Sequence, residues 1–313
     1  MAFTAKSGKF SASINSVEVG CGDKKIVLGG ENILPFYTFD APVENAPKVG
    51  VEITDSGLEN EPECVKKYYE GCETVADMAK RAASFEGVDF LSFRMDGGDP
   101  NGANKSTEEL IAMLKEIVAA VDLPLVVCGC KHAEKDAELL SKAAEAVDGR
   151  NALILAAKEE NYKQVGAAAG LAYKQVVGAE SAVDINLAKQ LNVLLTQLGV
   201  DGKSIVMNVG SAAAGYGFEY AVSTMDRVKA AALAQGDATL QMPIITPVAS
   251  EAWGVKEAMA SEADMPEWGN QEERGIDMEV ETAAAVLASG SNAVILKHPT
   301  SVATISKLIK ALV

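Results

Sequence analysis

The sequence predicts an α/β fold, a (β/α)8 TIM barrel with a short N-terminal β-hairpin extension. Three observations predict it. From about residue 48, short β-rich apolar runs alternate with longer helical stretches, and they do so eight times. Most of the short runs are continuously apolar, as expected for a parallel sheet whose two faces are both covered. Eight βα units in about 265 residues suit a closed barrel; a doubly wound sheet usually has fewer strands and a phosphate-binding glycine fingerprint after the first, which is missing here.

Residues 1 to 45 form the extension. There KFSASINSVEVG and KKIVLGG alternate around the turn CGD, which reads as a hairpin closing the N-terminal end of the barrel. The barrel then occupies residues 46 to 313. Its strands are expected at VGVEIT (49–54), DFLSFRM (89–95), LPLVVCG (123–129), ALILAA (152–157), KQVVGA (174–179), SIVMNV (204–209), QMPIITP (241–247) and NAVILKH (292–298). Helix starts are legible between them. Ser106 and Glu109 fit a capping box ahead of Leu110, Leu114, Ile117 and Val121. Asp184 stands at an N-cap before Ile185, Ala188, Leu191, Leu195 and Leu198. Thr300, after Pro299, opens a last helix that turns Ile305, Leu308, Ile309 and Leu312 inward.

Composition narrows the function. Of the 313 residues 48% are hydrophobic, enough for an ordinary core without disulfide staples. Acidic residues outnumber basic ones by 44 to 28, and a net charge of −16 repels a nucleic-acid backbone. No apolar run approaches the roughly 20 residues of a membrane span, and MAFTAKSGKF lacks the apolar stretch of a secretory signal, so a cytoplasmic protein is expected. The five cysteines are odd in number and lack a four-thiolate spacing, which argues against a disulfide framework or an iron–sulfur cluster in this chain.

In such a barrel, function gathers where the strands end, at the C-terminal mouth. After the second strand, MDGGDPNGAN offers Asp96 as a hydrogen-bond acceptor and Gly97 and Gly98 as room for a ligand, or else a turn-rich connection. After the third, Cys128, Gly129 and Cys130 read as small residues lining the mouth rather than as a metal site with His132, because strand alternation does not build a tetrahedron. After the sixth come Asn208 and then GSAAAGYG, Gly210 to Gly217, where Tyr216 alone is larger than a serine. Such a wall fits the close approach of something broad.

Beyond the seventh strand, the connection from Ser250 to Gly275 carries both tryptophans, Trp253 and Trp268, and reads as a lid or as a compact loop packed by its own rings. Pro247, Val248 and Ala249 replace the glycine-rich turn of a phosphate site. Lys297 at the eighth strand end is a Schiff-base candidate only if an acid and a base stand beside a desolvated amine. With two histidines in the chain, acid–base work would fall to Asp96, Asp184 or Glu180. No set of nucleophile, base and orienting partner is evident, so no catalytic or metal-ligating residue is assigned.

Taken in order, MDGGDPNGAN, PLVVCGC followed by EKD, DINLAKQLN, GYGFEY, EAW with KEA, WG with ERG, and KHP resemble one family. It is the small subunit of the corrinoid iron–sulfur protein, called in methanogens the delta subunit of acetyl-CoA decarbonylase/synthase. The resemblance runs from VLGGE at 27–31 through the final helix. It implies a TIM barrel paired with a large subunit that bears a [4Fe–4S] cluster and a cobamide-binding domain, with the cobamide between that domain and the barrel mouth.

The same resemblance implies that the pair carries a methyl group on cobalt. The group comes from methyltetrahydrofolate through a separate methyltransferase, or from a methyltetrahydropterin in archaea. It goes to the nickel site of carbon monoxide dehydrogenase/acetyl-CoA synthase in the reductive acetyl-CoA pathway. By position within the matching motifs, a cobamide-facing role falls on Asp96, Gly97, Gly98, Cys128, Gly129, Asp184, Asn208, Gly210, Ser211, Ala212, Ala213, Gly215, Tyr216 and Gly217. Enlarging Ala213 to phenylalanine is expected to weaken the cover. The alternative is a methyltetrahydrofolate-binding corrinoid methyltransferase, with Asp96, Asp184 and Asn208 as its pterin set.

Overall fold

The computed structural model describes residues 7–313. Strands β1 (Val17–Val19) and β2 (Ile26–Leu28) pair antiparallel, with Val17 opposite Leu28, and form the expected hairpin. Among the described residues eight parallel strands follow: β3 (Lys48–Thr54), β4 (Phe90–Arg94), β5 (Leu125–Cys128), β6 (Leu153–Ala157), β7 (Val176–Glu180), β8 (Ile205–Asn208), β9 (Ile245–Pro247) and β10 (Ala293–Leu296). Each lies at one of the eight expected positions. Their order is β8-β7-β6-β5-β4-β3-β10-β9, and a parallel bridge from Met207 to Ile244 joins the two ends into a barrel.

The helices are α1 (Glu63–Lys66), α2 (Val75–Ala82), α3 (Thr107–Ala120), α4 (Ala133–Ala146), α5 (Tyr162–Val165), α6 (Ile185–Leu198), α7 (Phe218–Lys229), α8 (Ala249–Ala252), α9 (Lys256–Met259), α10 (Gln271–Ala288) and α11 (Pro299–Leu312). Ser106 caps α3 by accepting from the Glu109 N–H at 3.1 Å, while the full reciprocal box occurs at α2, between Thr74 and Asp77. Asp184 caps α6 through the Asn186 and Leu187 N–H groups. The last helix starts one residue earlier than expected. Pro299 takes its first position, where no N–H is needed, and His298 caps it by accepting from the Thr300 N–H at 3.1 Å.

Strand alternation divides the core in two. Leu91, Phe93, Val127 and Ile154 face outward beneath the helices. Phe90, Val126, Leu153, Val176, Val206 and Ile295 face the barrel axis, where Val17, Val19, Ile26 and Leu28 of the hairpin join them. The hairpin therefore plugs one end, and the axis turns polar only toward the other. Gly50 makes room in this packing, because a Cβ there would run into the Phe90 ring. Gly50→Ala is expected to cost about 1–3 kcal/mol by overpacking. Denaturant titration checks this, and an unchanged midpoint would mean that Phe90 has space to retreat.

Candidate functional site

Going up the strands toward their C-terminal ends, the axis-facing residues change from Gly50 to Glu52, from Phe90 to Ser92 and Arg94, from Val126 to Cys128, from Val176 to Glu180 and from Val206 to Asn208. These ends surround a cavity of about 260 Å³. Arg94, Cys128 and Leu155 are at its floor; Gly129, Ala156, Ala182, Val183, Gly210 and Ser211 wall it; Lys131, Lys158, Glu180, Ser250 and Glu251 ring it.

At the floor, Arg94 Nε and Nη2 donate to one Glu52 oxygen at 2.9 and 2.5 Å, and both side chains are buried. Burial, the largest single influence, would raise the Glu52 carboxyl, but the Arg94 charge and hydrogen bonds together with the charges of Lys297 and Lys131 hold the group below its ordinary value. Cys128 lies 3.5 Å from the Ser92 hydroxyl. Burial pushes its thiol up to about 11 against the opposing pull of Arg94, so it is protonated at neutral pH.

The rim consists of paired charges. Lys158 Nζ stands 3.2 Å from Glu180, and Lys131 stands 3.7 Å from Glu251. Asn208 donates to Glu180 at 3.2 Å and accepts from the Gly210 N–H at 3.1 Å. Ser211 Oγ is shielded from solvent and has no hydrogen-bond partner in the protein. Donors and acceptors thus alternate around a wall of small residues.

Of the residues to which the resemblance gives a cobamide-facing role, Cys128, Gly129, Asn208, Gly210 and Ser211 meet on this cavity, with Glu180, the sequence's acid–base candidate, at its rim. The others are placed differently. Ala213 is 1% exposed and belongs to the core, and the Ala214 N–H donates to Thr282 of α10 at 3.0 Å. Ala212 is half-buried, while Gly215 and Gly217, at φ +83° and +88°, flank an exposed Tyr216 whose hydroxyl donates to Glu257 at 2.6 Å. Gly97 and Gly98 are buried, and the Gly97 N–H donates to Asp55 at 2.9 Å. Asp96 is exposed, 3.9 Å from Arg94. Asp184 is occupied with capping α6.

Gly129 carries a further lesson. A side chain there would strike the Asp136 carboxylate, which accepts from the Cys130 N–H at 2.7 Å and from its thiol at 3.2 Å. His132 caps α4 through Nδ1. Among the described residues no cluster of three or more His, Cys, Asp or Glu side chains is placed to hold a metal ion.

Sequence reading missed the Glu52–Arg94 pair and the Lys131 and Lys158 rim. A signal existed for the first, since a charge in the middle of VGVEIT and another late in DFLSFRM both fall on axis-facing positions. Lys297 gives no support to a Schiff base. Its amine nitrogen is engaged by both oxygens of Glu61 at 2.8 and 2.7 Å in a half-buried salt bridge, away from any carbonyl-binding space. The long connection is tied to the barrel rather than packed by its own rings alone. Trp253 is buried and stacks on His298 at 5.9 Å, and Trp268 lies between Lys256 and Arg274, while Ser250 and Glu251 reach the mouth.

Fold and mouth together define a (β/α)8 barrel protein with a cavity at the strand C-termini. Solved structures agree on the fold: dihydropteroate synthase of Xanthomonas albilineans with 4-aminobenzoic acid superposes with a TM-score of 0.59 over 95% of this chain and 98% of that one, at 14% identity. The corresponding enzyme of Vibrio fischeri gives 0.56 over 94% and 97%, at 11% identity. Likeness at such identity concerns fold alone.

Sequence relationship goes further. Residues 16–301 match the family described as the CO dehydrogenase/acetyl-CoA synthase delta subunit, and the chain belongs to that family. Acetyl-CoA decarbonylase/synthase complex subunit delta 2 of Methanosarcina acetivorans is 31% identical over 301 residues, covering 95% of this chain and 68% of that protein. Subunit delta of Methanothermobacter thermautotrophicus is 32% identical over 296 residues, covering 94% and 74%.

Proposed function

We propose that the chain is the small subunit of a corrinoid iron–sulfur protein, a methyl carrier, and that its mouth covers a cobamide held by a large subunit. Membership of the delta-subunit family over residues 16–301 carries this reading. In it the [4Fe–4S] cluster belongs to the large subunit. A methyltetrahydrofolate:corrinoid methyltransferase supplies the methyl group, and carbon monoxide dehydrogenase/acetyl-CoA synthase receives it in the cytoplasm.

The residues at the mouth fit such a group. A cavity of about 260 Å³ does not swallow a corrin, so the disc would lie across the opening. Ala156 and Ser211 are small where they line the opening, so a flat ring can approach the wall closely. The amide-bearing edge of a corrin needs donors and acceptors together, and Lys158 with Glu180 and Lys131 with Glu251 offer both. When bound, the corrinoid supplies a cobalt centre that takes up and releases a methyl group. The chain's own part is to hold the ring's edge and exclude water. Cys128, kept as a thiol by burial, puts no thiolate at the floor to compete for cobalt.

The test is an anaerobic pull-down of the tagged chain from its native host. Recovery of a larger partner with corrinoid and iron–sulfur absorbance is the expected result. A colourless chain alone, with tryptophan fluorescence responsive to methyltetrahydrofolate, would overturn the reading in favour of a pterin-binding methyltransferase. The geometry speaks against that alternative, since of Asp96, Asp184 and Asn208 only the last lines the cavity.

A further inference from the structure

We propose that Val183 is a built contact for the macrocycle, held in a left-handed backbone conformation so that its isopropyl group stands out at the mouth. This inference rests on the cobamide-covering reading above. Ala182 and Val183, just beyond β7, have φ of +43° and +58°. A β-branched side chain avoids that region because its Cβ crowds the neighbouring carbonyl, whereas glycine and asparagine enter it readily.

The surrounding chain enforces the conformation. The Val183 N–H donates to the Val209 carbonyl at 2.7 Å, and the Ser181 N–H donates to Asn208 at 3.0 Å, so the β7–β8 pairing continues past both strand ends. Behind them the Asp184 N–H donates to Ser181 at 3.1 Å, and the Thr224 hydroxyl donates to the Val183 carbonyl at 3.2 Å. Gly210 completes the cradle, since a Cβ there would come within 3.0 Å of the Val183 nitrogen.

The result is a strained valine that is 44% exposed and lines the mouth cavity. A lone exposed valine is ordinary. One that is both exposed and forced into a conformation that asparagine or glycine would adopt more easily gains nothing for its own fold. Strain of this kind persists where a binding surface uses it. With Ala156 and Ala182 beside it and the Lys158–Glu180 pair at the rim, Val183 presents an apolar facet inside a polar ring. That facet suits a flat, largely apolar disc with a polar edge. Seated on it, the disc leaves no gap for water.

The experiment compares Val183→Gly and Val183→Asn with the parent chain. For the chain alone, the thermal midpoint is expected to stay level or to rise by about 2 °C, because strain is relieved. For the complex with its corrinoid partner, corrinoid content should be unchanged while the reduced corrinoid, followed by its visible spectrum, reoxidises several-fold faster. A lowered midpoint in both variants would make Val183 a residue of the fold and overturn the proposal. Parent-like reoxidation in both would overturn it too, leaving the covering role intact. A parent chain that brings no corrinoid partner would overturn the covering role, and this proposal with it.

Discussion

Arg94→Met is expected to destabilise the chain by about 3–5 kcal/mol, the usual cost of leaving one member of a buried ion pair without its partner. Arg94 and Glu52 are both nearly inaccessible, and the guanidinium makes two hydrogen bonds to a single carboxylate oxygen. The charges of Lys297 and Lys131 also favour the ionised Glu52 and would remain. They limit the loss rather than cancel it.

The pH dependence has a definite sign. In the parent chain Glu52 titrates below its ordinary value when folded, so its contribution is present above the unfolded value and is lost as pH falls through the folded one. Without Arg94 the buried carboxyl shifts upward. The variant then gains at acidic pH and loses as pH rises. The stability gap should therefore be widest near neutrality and narrow toward about pH 4. Denaturant titrations at the two pH values measure it, and Glu52→Gln combined with Arg94→Met should recover much of the deficit. A cost under about 1 kcal/mol would mean that water reaches Glu52 and that the floor of the mouth is wet.

Ser211→Phe is expected to weaken association with the corrinoid-bearing partner at least about tenfold, or about 1.4 kcal/mol, with little change in the stability of the chain itself. Ser211 lines the cavity and is only half-buried, so a phenyl ring there projects into the space a flat ligand would cover. Titration of the partner against the two chains, beside thermal melts of each, reads both quantities. Equal affinity for variant and parent would remove Ser211 from the covering surface. Ala213→Phe does not serve as this test, although the sequence points to it. Ala213 is 1% exposed in the core, so the larger ring would cost about 1–3 kcal/mol by overpacking, and any loss of function would report on folding.

The contrast between Ser211 and Ala213 shows how far the site was legible. Two positions apart in one small-residue run, Ser211 lines the cavity and Ala213 sits in the core, on a chain that turns between Gly210, at φ +95°, and the start of α7. No local pattern marks that turn. The axis-facing charges were more accessible to sequence reading, since Glu52 and Arg94 interrupt apolar strands. Their pairing was not, because it depends on the register that sets Glu52 of β3 beside Ser92 of β4, two residues below Arg94.

What the sequence by itself determined was local and periodic: eight apolar runs, the caps at Ser106 and Asp184, the hairpin before the barrel and the motifs that place the chain in its family. These follow from propensity, hydrophobic spacing and capping chemistry, which act over a few residues. Tertiary structure decided why each small residue is small. Gly97 yields to Asp55, Gly129 to Asp136, Gly50 to Phe90 and Gly210 to Val183, whereas Ser211 lines the mouth. A missing side chain leaves the same trace in the sequence whether it clears space for a ligand or for another part of the same chain. Only the packing of distant segments, which fixes what occupies that space, tells the two apart.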